Sequence, residues 1–148
     1  MNIPEYITKA EVQRVCKELG ISDWTKLSEP RISLEEAMII QAKTGGETSM
    51  ISAEEFQKGL EVELEHGLAF PDANVTNNHP LLTGKIVLAH LKEMLDYYAR
   101  LEVAELEGDL FKASQAGNAE KLARKYQLLV KARAELSASE EASSTKSN

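Results

Sequence analysis

Apolar positions recur at three- and four-residue spacing through most of the chain, and strict alternation never persists beyond a few residues. This pattern predicts an all-α fold of about five helices. Three segments open with a hydroxyl residue followed three places later by Glu: Thr8/Glu11, Ser33/Glu36 and Ser52/Glu55. The hydroxyl accepts a bond from an orphan backbone N–H, and the Glu reaches back to the cap's own N–H. A first helix over Lys9 to Leu19 places Val12, Val15, Cys16 and Leu19 on one stripe, and Gly20 ends it. A second runs from Leu34 to Thr44 and stops at Gly45-Gly46. A third runs from Ala53 to His66 and stops at Gly67. A fourth starts near Thr83 and runs to about Ala116, with Gly108 as the place where it can bend. A fifth covers Ala119 to Leu136 behind Asn118, with Leu122, Tyr126, Leu129 and Leu136 along one stripe.

The third and fourth helices are expected to form a central antiparallel pair, and the fourth and fifth a C-terminal hairpin. GISDWTKLSEPRIS, between the first two helices, reads as an ordered loop pinned by Trp24. LAFPDANVTNNHPLL, at 68–82, is a longer connection of a length that is often functional. Its Asn74 and Thr76 are candidates for side-chain turns. Residues 137–148 are rich in Ser and hold nothing larger and apolar than Ala, so a disordered tail is expected after a single domain over 1–136.

With 148 residues, 43% of them hydrophobic and 28% charged, the composition is globular, and no apolar run approaches a membrane span. A net charge of −7 disfavours nucleic acid as a partner. One Cys excludes an internal disulfide and a multi-thiolate zinc site. With no basic, then apolar, leader at the N-terminus, it points to a reducing, cytoplasmic setting. Cys16 reads as a small core residue. Thr83-Gly84-Lys85 lacks the spacing of a phosphate loop. Charge is uneven: 53–72 carries six acids and one Lys, while 110–135 carries six bases and two acids. These are either solvated faces or parts that meet, within one chain or between neighbours.

The candidate chemistry lies mid-chain. Glu63 falls on the apolar stripe of the third helix between Phe56 and Leu60, where a carboxylate needs a partner. His66 stands three residues on, and His90 and Glu93 repeat the spacing in reverse order on the fourth helix. Antiparallel packing brings Glu63 level with Glu93 and His66 level with His90 in this reading. Four such donors suit one divalent ion, whether zinc, iron or manganese. The other reading is two local i,i+3 ion pairs.

EEFQKGLEVELEHG at 54–67, NVTNNHPLLTGKI at 74–86 and AHLKEMLDYYARLEVAE at 89–105 resemble an uncharacterised family of small proteins. That family is met in bacteria, tailed bacteriophages and other large DNA viruses. The stretch involved is about 52–107, and LGISDW nearer the N-terminus is similar too. This chain departs at Leu95, where the resemblance implies Pro. The resemblance implies no activity or cofactor. It places His66, His90, Glu93, Asp96 and Tyr97 in the recurring motif, with Asp72, Asn74 and Thr76 in the connecting stretch. Two functions therefore compete. One is a structural or interaction protein without enzymatic activity, for which the resemblance allows a phage or prophage source, located in the cytoplasm or, if phage-encoded, the virion, and binding a protein partner or itself. The other is a helical domain with a Glu/His metal site.

Overall fold

The computed structural model describes residues 4–46, 48 and 50–145. Among them every regular element is helical, and the chain divides into two compact units, residues 1–95 and 96–148. The first holds α1 (Lys9–Leu19), a 3-10 turn (Trp24–Lys26), α2 (Leu34–Thr44), α3 (Ala53–Ala69) and α4 (Pro80–Glu93). The second holds α5 (Tyr97–Gln115) and α6 (Ala119–Thr145).

The caps follow the sequence pattern with one change. Ser33 and Ser52 close complete capping boxes with Glu36 and Glu55. Thr8 caps α1 by accepting from the Glu11 N–H, but the Glu11 carboxylate turns to Arg14, at 2.7 and 2.8 Å. An Arg one turn away offers two charge-assisted bonds where the cap offers one neutral donor. Gly20 ends α1 with φ 71°, and its N–H with that of Ile21 closes the last carbonyls.

The core of the first unit gathers Val12, Cys16, Trp24, Ile40, Phe56, Leu60, Leu64 and Val87, each almost wholly buried. Burial pushes the Cys16 thiol up from its ordinary value, consistent with a core residue. Long polar side chains close the loops over this core. Gln57 Nε2 donates to the Ile32 carbonyl at 2.8 Å, and Gln41 Nε2 donates to the Ile51 carbonyl at 3.1 Å.

The expected long fourth helix is two helices. The chain leaves helical geometry at Met94, with φ −159° and ψ 121°, and re-enters it at Tyr97. Gly108 lies within α5, between its ends. Met94 and Leu95 are both exposed, so no buried contact draws the chain through as one rod. The extended backbone at Met94 is what a residue before proline requires. Leu95→Pro should therefore change stability by less than about 1 kcal/mol, against about 3 kcal/mol in a helix interior. Urea denaturation followed by circular dichroism checks this, and a loss near 3 kcal/mol would mean that α4 and α5 are continuous.

In the second unit Gly117, at φ 63°, turns the chain, and Asn118 caps α6 by accepting from the Lys121 N–H at 2.9 Å. Leu106, Leu129 and Ala132 are buried between the helices, with Val103 and Leu110 packed against them. Tyr98 is also buried and meets Tyr97 edge to face at 5.2 Å. Ion pairs cross the hairpin at Lys125–Asp109 and Arg133–Glu107, both 2.6 Å, and at Arg100–Glu140, 2.7 Å. The expected tail at 137–148 is helical through Thr145, and 146–148 lie outside the described residues. Ser143 and Ser144 donate to carbonyls four residues back, so their hydroxyls bond inside the helix.

Candidate functional site

The segment after α3 is built by asparagines. Asn74 Nδ2 donates to the Gly67 carbonyl at 3.1 Å and to Asn78 Oδ1 at 2.9 Å. Asn74 Oδ1 accepts from Thr76 Oγ1 at 3.2 Å and from the Asn78 N–H at 3.3 Å. The side-chain turns expected at Asn74 and Thr76 are thus one network. Asn77 and Asn78 follow with positive φ, 48° and 57°, a conformation that Asn tolerates better than most residues. Asn77 Nδ2 reaches the Ile7 carbonyl and Glu5 Oε1, tying the stretch before α1 to this loop.

Gly67 does not stop α3, which continues to Ala69. Its role is close approach: a Cβ there would overlap Asn78 Oδ1 and press on Asn74 Nδ2 at 2.8 Å. Gly84 is alike on α4, where a Cβ would overlap Thr44 Oγ1 and meet Ile40 Cγ2 at 3.1 Å. Two glycines of the motif stretches are therefore packing glycines.

α4 begins at Pro80, earlier than the expected Thr83, with His79 as its cap. His79 Nδ1 accepts from the Leu82 N–H at 3.4 Å, which requires the neutral ring. Burial pushes the His79 pKa below its ordinary 6.5; a smaller upward pull from Glu11 does not offset it, and Arg14 adds to the lowering. A His whose folded pKa is depressed binds fewer protons folded than unfolded. Its contribution is present above pH 6.5 and is lost as pH falls toward the folded value. The free energy of unfolding should therefore drop between pH 7 and 5, with a slope of at most about 1.4 kcal/mol per pH unit from this group, and the melting temperature should fall with it. His79→Asn keeps a capping oxygen and should flatten that slope. An unchanged slope would remove His79 as the cause.

Of the expected donors, the structure brings two together. His90 Nδ1 lies 3.2 Å from Glu63 Oε1, and the Glu63 side chain is only 17% exposed. The partner that the stripe demanded for Glu63 is thus His90. The register differs from the expected one by about a turn: Glu63 stands opposite His90, not Glu93. Glu93 is the exposed last residue of α4, and His66 is exposed on α3. Among the described residues no group of three His, Cys, Asp or Glu side chains could hold a metal ion. Asp72 is exposed. Asp96 makes no side-chain cap for α5 and instead pairs doubly with Arg100, at 2.7 and 3.0 Å, one turn along. That pair accounts for the acidic and basic ends of D-Y-Y-x-R.

A recess of about 280 Å³ opens between α3, α4 and the asparagine loop. Glu63, His66, Asn74 and Thr83 line it, together with the exposed apolar side chains of Phe70, Val75 and Ile86. The sequence offered no signal for the recess itself, because Phe70 and Val75 lie in a stretch without periodicity. None of the described helices is long and apolar enough to cross a membrane.

No curated protein and no solved structure matches the chain. Residues 12–107, about two thirds of the sequence, match the family described as Protein of unknown function (DUF5661). That span contains all of α2, α3 and α4, the asparagine loop and every residue of the recess. The chain therefore belongs to the DUF5661 family.

Proposed function

We propose that this chain is a small helical interaction module without enzymatic activity, and that its partner docks in the recess beside the asparagine loop. One observation carries this. Glu-x-Glu-His-Gly, Asn-Val-Thr and Thr-Gly-Lys-Ile, three separate stretches of sequence, all supply residues to that one recess. Its amides are engaged with one another, so they shape a surface rather than perform chemistry. Phe70 and Val75 are 58% and 81% exposed, which suits an apolar anchor from another protein. The six acids between 53 and 72 favour an anchor flanked by basic residues. The family resemblance supports a phage or prophage setting, in the cytoplasm or the virion.

Selection from a displayed library of random peptides tests this reading. Enriched peptides should carry an aliphatic or aromatic residue beside Lys or Arg. Titrated into ¹⁵N-labelled protein, they should shift amides of residues 66–78 and 83–90. Val75→Asp should weaken binding at least tenfold. Peptides that bind only elsewhere would overturn the assignment. The Glu63–His90 pair favours a second reading, a divalent metal completed by a donor from a partner. A zinc-dependent rise in melting temperature that His90→Ala abolishes would support it.

A further inference from the structure

The hairpin of α5 and α6 carries an apolar face that its own core does not use. Glu107 and Arg133 pair on one side of the hairpin, and Asp109 and Lys125 pair on the other. Phe111 stands one turn beyond Glu107 on α5. Leu122, Tyr126 and Val130 lead along α6 toward Arg133 at four-residue spacing, so all four share the Glu107–Arg133 side. Phe111 is 66% exposed, Tyr126 59%, Val130 53% and Leu122 37%. At the hairpin tip a recess of about 210 Å³, lined in part by Ala113, Ala119 and Leu122, continues the same face.

We infer that this face binds a second copy of the chain, and that two hairpins close into a four-helix bundle. Area supports it. With aromatic side chains of about 150–250 Å², the four residues expose roughly 350–400 Å² of apolar surface. A standard interface takes about 800 Å² from each partner, a little over half of it apolar. Four residues thus supply most of the apolar share of a modest dimer. Charge selects the occupant and its orientation. α5 holds four acids and two bases, while α6 holds five bases and four acids, with all five bases and only two of the acids in residues 119–136. A two-fold axis parallel to the helices sets α5 of each copy beside α6 of the other. Every neighbour is then antiparallel, and the acid-rich α5 faces the base-rich 119–136 stretch of α6. An axis across the helices would stack α5 on α5 and α6 on α6, setting like charges together.

Sedimentation equilibrium of the full chain tests this. At about 100 μM, above the micromolar Kd that so small an interface implies, the mass should be twice that of one chain. Tyr126→Glu and Phe111→Glu should each raise the Kd at least tenfold and leave the helical circular dichroism unchanged, since both sites are exposed. Val130→Lys, a separate change on the same face, should do likewise and guards against a folding defect in either. Leu128→Glu, on the opposite side, should leave the dimer intact. A monomer at every concentration, or an oligomer indifferent to the three face variants, overturns the proposal. Because docking in the recess is read by peptide titration, either proposal can fail alone.

Discussion

Gly67→Ala should destabilise the first unit by about 2–3 kcal/mol, although alanine is the better helix former. At an ordinary exposed helical glycine the same change stabilises by about 1 kcal/mol. The sign reverses because the new methyl would occupy the place of Asn78 Oδ1. Asn78 cannot simply swing away. Its oxygen accepts from Asn74 Nδ2, and its N–H donates to Asn74 Oδ1. Displacing it breaks the pair that also holds the Gly67 carbonyl, and each lost bond costs about 1 kcal/mol. Gly108, with nothing near its would-be Cβ, provides the control, and Gly108→Ala should stabilise. Urea midpoints of the two variants give the comparison. A stabilised Gly67→Ala would show that the loop does not sit against α3 as described.

Trp24→Ala should cost about 3–5 kcal/mol, the largest single loss expected. The ring is 1% exposed and lines a second recess with Gly67, Asn74 and Asn78. Trp24→Phe should cost less than half as much. Among the described residues the indole Nε1 is buried without an acceptor, so phenylalanine also removes an unsatisfied donor. Far-ultraviolet circular dichroism is the suitable probe, because this is the only Trp. Equal losses for the two variants would mean that Nε1 holds a bond worth keeping.

The helix starts were legible because caps are local. Ser33, Ser52 and Thr8 act within three residues of themselves, and no distant contact alters them. The start of α4 was misplaced because His is an unusual cap, even with Pro80 at the first helical position as a hint. The break at Met94–Asp96 was hidden because Leu95 carries no backbone preference of its own. A proline there would have announced it. Glu63 was rightly read as needing a partner, since a carboxylate on an apolar stripe admits few solutions. The residue level with it differs by a turn from the expected Glu93, because the register between α3 and α4 depends on a loop whose geometry is non-local. Asn77 and Asn78 take positive φ within a network whose side-chain bonds join residues four and seven positions apart. Gly67 looked like a terminator because glycine's two uses, turning and close packing, are the same letter.

The matched region ends at residue 107, whereas α5 runs on to Gln115. The edge of the matched region therefore falls inside a helix and not at a linker. Residues 108–145 carry that helix past the edge and fold back on it, as a splice would lengthen a beam. Leu106 lies within the matched stretch and Leu129 and Ala132 beyond it, so the hairpin core draws on both sides of that edge. A chain cut at 107 would keep one half of that core with nothing from α6 to close it.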